Sequence, residues 1–459
     1  MRTAPLFPTM KASFHTLGCK LNYAETASME RQFRDRGFDI VPFSEPSDVC
    51  IINTCSVTER ADREARQIVR RALRTSPEAF VAVVGCYAQL DPEEIASIDG
   101  VDLVLGASEK FRILELASSF RKGEAPKIHV GPISAVNDFG PAYSGGVDDR
   151  TRAFLKVQDG CDFNCSFCTI PLARGESRSQ SIDACVAQAQ QLAETGYQEI
   201  ILTGVNVGDY GKKNGTSLKE LLKRLNAVDG IERIRISSIE PNLLTDDLLD
   251  VWLSSDKMCR HFHIPLQHGT DTLLRAMRRR YTSADYRSLI ERIRTAAPDA
   301  GIGVDVIVGF PGETEELFRQ NFDFLHALPV SYLHVFTYSE RPNTPSIAFP
   351  GRVEPRVRYS HSDELRNLGA MKRSAFHRSQ EGEIRPVLIE GTIEQNMLSG
   401  YTDNYVRVQI PYHPTLENTI AMVRIGAYDG DRSAGEIVSI RSAQRAIMPV
   451  MLVLPVINS

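Results

Sequence analysis

Nowhere does the 459-residue sequence hold an apolar run long enough to cross a bilayer. The longest, Ile447 to Ile457, is broken by Pro449 and Pro455 and falls short of the roughly 20 residues a spanning helix needs. The opening residues MRTAPLFPTM lack the apolar core of a secretion signal. Short-period repeats and low-complexity tracts are missing. So is any basic excess: a net charge of −5 excludes a global field that would by itself attract nucleic acid. These absences predict a cytoplasmic protein with no membrane partner. Nine cysteines are present, and in a chain without a secretory signature clustered cysteines point to metal or redox chemistry before disulfides.

Three textures follow one another. From Ala12 to about Ile128, the apolar runs ASFHTLG, VCIINTC, FVAVVGC and VDLVLG alternate with amphipathic stretches such as NYAETASMERQFRDRG. That alternation predicts an open parallel α/β sheet over residues 1–130. A Gly-, Pro-, Ser- and Asp-rich connector spans 131–149. A second β/α series, AFLKVQ, EIILTG, RIRISS, HFHIPL, GVDVIVGF and YLHVFTY, predicts a partial (β/α)6 TIM-type barrel over 150–380, with its working face at the C-terminal strand ends. The runs PVLIEGTI, YVRVQI, TIAMVRI and EIVSIRS, separated by polar turns, predict a small all-β barrel over 381–446. Residues 447–459 read as an apolar tail packing on the body. The fold class is therefore α/β, in several domains.

Cys161, Cys165 and Cys168 lie in GCDFNCSFC, a C-x3-C-x2-C spacing just past the first barrel strand. Thiolates are the usual ligands of iron–sulfur clusters, and four irons ordinarily want four ligands. No fourth cysteine is near, so one iron would stay open to a small molecule. A zinc loop is the alternative, but it would pair two Cys-x2-Cys knuckles or add histidines. Cys19, Cys55 and Cys86 are far apart but share one context: each ends an apolar run and precedes a helical segment, in FHTLGC, CIINTC and AVVGC. In a parallel sheet such positions converge on the ligand-binding edge. Three half-buried core cysteines are the alternative there. Cys50, Cys185 and Cys259 have no partner pattern and read as structural.

The first set, with the aromatic Phe167 before its last cysteine, resembles the radical S-adenosylmethionine (SAM) superfamily. That resemblance implies a [4Fe-4S] cluster whose open iron chelates SAM and cleaves it to a deoxyadenosyl radical. It also implies contacts to SAM or substrate from Phe167, Thr203, Gly204, Ser238, Glu240, Gln267, Asp305 and Tyr338, each of which could equally be a turn or structural residue. Across nearly the whole chain, TLGCKLN, INTCSVTERADREARQ, GCYAQ, LTGVN, SSIEP, HIPLQ, DVIVGFPGETEE and HVFTYS resemble the methylthiotransferase family. The resemblance implies a second [4Fe-4S] cluster on Cys19, Cys55 and Cys86 and a C-terminal TRAM domain that binds RNA. No catalytic side chain beyond the cluster ligands is implied.

TLGCKLN, CYAQ, RRYT and HVFTYS are most similar to the branch that modifies N6-threonylcarbamoyladenosine at tRNA position 37, inserting a methylthio group at C2. Sister branches act on isopentenyladenosine in tRNA or on ribosomal protein S12. The chemistry implies a flavodoxin- or ferredoxin-like electron donor, and a sulfur source that no motif identifies. His268 stands where the family usually has Ser, and Thr337 where it usually has Pro; both are expected at the mouth of the site. Tyr23-Ala24 also departs from the family, in which a polar residue followed by Tyr is commoner.

For the tRNA partner, Arg60, Arg63, Arg66, Arg70, Arg71 and Arg74 fall within about 140° of one helix face and would suit phosphate. Companion acids Glu59, Asp62 and Glu64 leave a solvated surface helix as the alternative. Arg278, Arg279 and Arg280 form a second basic run, and residues 352–378 hold seven basic and three acidic residues. Tyr401 and Tyr405 could stack bases and Arg407 could meet phosphate, though strand tyrosines more often simply pack.

Overall fold

The computed structural model describes residues 10–56, 59–117, 119–123, 125–136, 139–140 and 151–447, without side chains at 59–61. The tail beyond Ile447 and much of the 131–149 connector lie outside the described residues.

Six parallel strands form the first sheet: β1 (Lys11–Thr16), β2 (Asp39–Val41), β3 (Val49–Thr54), β4 (Phe80–Gly85), β5 (Leu103–Leu105) and β6 (Lys127–His129), in the order β2-β1-β3-β4-β5-β6. Every residue of β3 and β4 is buried, as the strands of a sheet covered on both faces must be. Met29 and Phe33 of helix α1 (Lys20–Asp35) cover one face with Ile51, Ala82 and Val84. On the other, Ala65, Val69 and Ala72 of α2 (Glu59–Thr75) pack on Ile52, Val81 and Val83. Edge strands β2 and β6 have three residues each, too few to show a period in the sequence.

The second series supplies β7 (Arg152–Lys156), a short ribbon of β8 (Gln158–Asp159) and β9 (Arg178–Ser179), then β10 (Glu199–Thr203), β11 (Arg233–Ile236), β12 (His261–His263), β13 (Gly301–Val308) and β14 (Tyr332–Thr337). Strands β7, β10 and β11 pair in parallel, as do β12, β13 and β14, giving an incomplete barrel. Outward residues such as Leu155, Leu202, Ile234, Phe262, Val304 and Leu333 pack against the surrounding helices. Helix starts are marked by side-chain caps on Ser181, Ser217, Thr282 and Thr314, each contributing about 1 kcal/mol. Alternate positions are polar instead: Glu199, Arg233, Arg235, His261, His263, Asp305 and His334 give the barrel a charged lumen. Helix α1 packs along β7, with Tyr23 and Ala24 against Phe154 and Ile201.

The C-terminal part is a closed barrel of β15 (Ile384–Glu394), β16 (Met397–Thr402), β17 (Arg407–Pro411), β18 (Ile420–Tyr428) and β19 (Ser433–Ser442). Strand β16 follows a tight turn at Gln395 and Asn396, both with positive φ, and was not legible as a separate strand. This barrel docks under the N-terminal ends of the larger barrel's strands. Arg233 and Arg235 donate to the carbonyls of Tyr401, Thr402 and Asp403 at 3.0–3.1 Å. At Gly301 any Cβ would meet the Asn404 carbonyl oxygen at 2.1 Å. Among the described residues no helix is long and apolar enough to cross a membrane.

Candidate active site

Cys19 caps α1 after β1, Cys55 follows β3, and Cys86 opens the short helix α3 (Cys86–Leu90) after β4. The three therefore meet at the C-terminal edge of the first sheet. Close approach is permitted by glycine: a Cβ on Gly18 (φ +98°) would lie 2.5 Å from the Cys55 Cβ, and one on Gly85 (φ +99°) 2.6 Å from the Thr54 carbonyl oxygen. Asn22 braces two of the loops, donating to Leu17 O at 2.8 Å and Thr54 O at 3.0 Å. Cys55 and Cys86 are buried. Cys19 is open to solvent.

Behind this edge lies a buried charge cluster that joins the sheet to the barrel. Glu25 meets Lys110 at 2.6 Å, Arg174 at 3.0 Å and Lys156 at 3.3 Å. Asp159 meets Lys156 at 2.8 Å, Arg174 at 3.0 Å and Arg178 at 3.6 Å. Four cations against two carboxylates leave a positive excess, and Arg174 lies near enough for its charge to act on Cys19 and Cys86.

Cys161, Cys165 and Cys168 lie on the loop after β8, facing the first set. Thr169 donates to Ser56 O at 3.3 Å, so the neighbours of Cys168 and Cys55 touch. Burial pushes the Cys161 thiol up to about 11 and that of Cys168 to about 12, so both hold their protons at neutral pH until a metal displaces them. Arg279 donates to Cys165 Sγ at 3.1 Å. Each set offers three thiols, with Arg279 against one and Arg174 near the other; an all-sulfur donor set of this kind fits an iron–sulfur cluster.

Comparison with known proteins agrees. Residues 155–325 match the radical SAM superfamily, and residues 11–106 match an uncharacterized protein family, UPF0004. A threonylcarbamoyladenosine tRNA methylthiotransferase, MtaB, of Bacillus subtilis is 39% identical over 419 residues, covering 90% of this chain and 93% of that protein. The protein of the same name from Aquifex aeolicus is 38% identical, covering 87% and 96%. The chain belongs to the radical SAM methylthiotransferase family. The fold of a Kitasatospora setae radical SAM methyltransferase, TsrM, is shared at a TM-score of 0.56 and 18% identity, covering 74% of this chain and 75% of that one.

Membership in the methylthiotransferase family brings one [4Fe-4S] cluster and SAM. Thr203, buried, ends β10; Gly204 approaches the Gln158 carbonyl so closely that a Cβ would lie 2.8 Å from it. Ser238 and Glu240 follow β11 at the mouth, where Glu240 pairs with Arg279. Gln267, with φ +75°, bridges to β13, its backbone N–H donating to Asp305 O at 2.8 Å. Asp305 sits mid-strand in the lumen, against His263 at 2.7 Å.

Several of the expected residues are placed against other side chains. Tyr338 is a core residue: its ring packs on Phe310, and its hydroxyl donates to Ser346 at 2.9 Å. Phe167 packs at the edge of that same apolar cluster. His268 is fully buried, its Nδ1 accepting from Thr270, and Thr337 bonds Ser362 on the helix Pro355–Ser379; neither lines the mouth. Tyr401 and Tyr405 face the larger barrel, with Tyr405 stacked on His261 at 4.3 Å and Arg152 over Tyr401 at 4.7 Å, so they are joint residues and not open stacking surface.

The basic residues divide. Arg63, Arg70 and Arg74 are exposed on α2, while Arg66 is paired with Glu94. Arg407 pairs with Asp431. Arg278 and Arg280 are exposed, Arg280 lying over Phe163 at 3.9 Å. Arg279 is instead buried among Cys165, Glu240 and Tyr281, because the residue between two exposed arginines turns inward. Burial pushes the Glu240 carboxyl up, and Arg279 offsets this. Replacing Arg279 with Met should lower SAM cleavage or iron content by about 10- to 100-fold, as loss of a group supporting a metal ligand does. Iron analysis and deoxyadenosine release measure this; an effect confined to tRNA affinity would return Arg279 to RNA binding.

Asn22, Glu25, Lys110, Lys156 and Arg174 were not singled out from the sequence. Only Lys156 carried a signal, a polar residue at an alternate position of a barrel strand; the other four lie on helical segments, where a charge or amide reads as solvated.

Proposed function

We propose that this methylthiotransferase inserts a methylthio group at C2 of N6-threonylcarbamoyladenosine at tRNA position 37. The observation that carries this reading is the apposition of two three-cysteine sets across the joint of sheet and barrel, joined by the Thr169–Ser56 contact, in a chain most of whose length matches MtaB proteins. Cys161, Cys165 and Cys168 would hold the cluster that binds SAM; Cys19, Cys55 and Cys86 would hold a second [4Fe-4S] cluster. When bound, these groups supply the means of breaking an unactivated C–H bond and a source of sulfur.

The chain's own residues do the rest. Asn22 fixes the spacing of the Cys19 and Cys55 loops, and Arg279 holds Cys165 and Glu240. We assign residues 1–130 to the second cluster, 150–380 to SAM chemistry and 381–446 to a TRAM domain contacting tRNA, with Arg63, Arg70, Arg74, Arg278 and Arg280 as further phosphate contacts. The reaction takes place in the cytoplasm, where tRNA and a flavodoxin- or ferredoxin-like donor are available.

Nucleoside mass spectrometry of tRNA from a host lacking the gene, with and without the chain restored, tests this. The 2-methylthio derivative of N6-threonylcarbamoyladenosine should appear only on restoration. Appearance of methylthio-isopentenyladenosine instead would move the chain to the sister tRNA branch, and no altered nucleoside would turn attention to S12.

A further inference from the structure

A second buried ion pair crosses the joint between sheet and barrel, and it ends beside one of the six cysteines. It starts on the loop after β14. There Glu340 turns toward the helix Pro355–Ser379, pairing with Arg358 at 2.6 Å. Arg341, next in the chain, turns toward the sheet and is only 4% exposed. Its guanidinium pairs with Asp62 of α2 and donates to Ser56 Oγ at 2.6 Å. Ser56 directly follows Cys55, and its hydroxyl donates to Asp62 at 3.1 Å.

The same loop also touches the other set. Its turn is closed by Thr344, whose hydroxyl donates to the Arg341 carbonyl at 2.7 Å. Asn343 sits in that turn at φ +64°, a left-handed position that asparagine tolerates. The Ser346 backbone N–H then donates to the Ser166 carbonyl at 2.9 Å, and Ser166 stands between Cys165 and Cys168. Both serines are fully buried. Residues 341–346 therefore contact the neighbour of Cys55 at one end and the middle of the barrel set at the other. Stability alone gives little reason for a buried arginine here, since well-packed apolar residues in place of a buried ion pair are often as stable. What a guanidinium adds is fixed geometry: its planar fork holds two acceptors at once, which a lysine ammonium does not.

Taking the two sets to hold the two clusters proposed above, we propose that Arg341 is a positioning residue that fixes the sheet set against the barrel set and so keeps SAM cleavage at one coupled to sulfur transfer at the other. Arg341 acts on Cys55 through Ser56. A misplacement of about 1 Å at that loop can cost about 100-fold in the transfer step, while the Ser346–Ser166 contact leaves the barrel set in place.

The test gives the full chain, anaerobically loaded with its clusters, SAM, a reductant and substrate tRNA, and measures deoxyadenosine and methylthio nucleoside in the same reaction. In Arg341→Met and in Ser56→Ala, iron content and deoxyadenosine release should stay within about twofold of wild type while the nucleoside falls about 10- to 100-fold. Arg341→Lys should fail in the same way, because one ammonium cannot hold both partners. Hydrogen exchange on the metal-free chain gives a readout apart from turnover: in Arg341→Met the backbone amides of residues 53–56 should lose protection, and those of 161–168 should keep it. If Arg341→Met loses iron, Ser56→Ala, which retains the Arg341–Asp62 pair, carries the test. Deoxyadenosine and nucleoside falling together, or neither falling, overturns this proposal and leaves the functional reading standing. Unchanged exchange at residues 53–56 overturns it as well. A wild type that releases deoxyadenosine but forms no methylthio nucleoside fails the functional reading, and this proposal with it.

Discussion

Alanine at any of Cys161, Cys165, Cys168, Cys19, Cys55 or Cys86 should reduce the methylthio nucleoside by at least about 1,000-fold, some 4 kcal/mol of barrier. Alanine at Cys50, Cys185 or Cys259 should leave it within about twofold, because losing a buried thiol affects packing rather than turnover. The contrast follows from position. Cys50 lies inside β3 near Ser13 and Ser47. The Cys185 thiol, pushed up to about 12 by burial, is inert. Cys259 is buried and offers its backbone carbonyl to Trp252 Nε1 at 2.8 Å. The six others stand at two loop clusters facing each other. They should also divide by step: alanine in the barrel set should stop deoxyadenosine release, whereas alanine in the sheet set should leave that release measurable while removing the product. Nucleoside and deoxyadenosine assays on the same nine variants read both. Deoxyadenosine formation that survives Cys161→Ala would contradict the assignment of the barrel set.

The second large effect is on stability. Glu25→Gln should destabilise the protein by about 3–5 kcal/mol, because removing one member of a buried ion cluster strands the others. Burial opposes the Glu25 charge, but Arg174, Lys110 and Lys156 outweigh it and hold the carboxyl well below its ordinary 4.5. A depressed carboxylate contributes stability that is present above 4.5 and lost as pH falls. Denaturant unfolding should therefore show the largest gap between wild type and Glu25→Gln near neutrality, narrowing on acidification. Because the cluster ties Glu25 of the sheet to Lys156 and Arg174 of the barrel, protease sensitivity should rise where the two meet. Unchanged unfolding at neutral pH would show that the cluster contributes little to holding them together.

Much of this was legible in the sequence because it is local. The three barrel-set cysteines lie within eight residues, and each sheet-set cysteine shows the same strand-end context, so neither set required tertiary knowledge. Long apolar strands such as β3, β4 and β13 were clear for the same reason. What was hidden depends on residues far apart. Glu25 and Arg174 are separated by 149 positions, and each reads alone as a solvated charge on a helix. Arg279 sits between two exposed arginines and was grouped with them; only the packed loop shows that it faces Cys165. Tyr401 and Tyr405 resembled a stacking surface because a strand pattern cannot show which neighbour covers it. His268 and Thr337 depart from the family pattern, but the backbone turns both away from the mouth.

Helix α1 fixes several of these features at once. Its first turn carries Cys19 and Lys20, Asn22 braces two loops, Glu25 enters the charge cluster, and Met29 and Phe33 reach the sheet core. An α-helix advances about 1.5 Å and turns about 100° per residue, so these fittings share one angular setting. Inserting or deleting a single residue between positions 20 and 29 would swing every fitting beyond it out of alignment. A single side-chain change on this rod loosens one fitting, whereas a change in its length uncouples the sulfur-bearing edge from the barrel it serves.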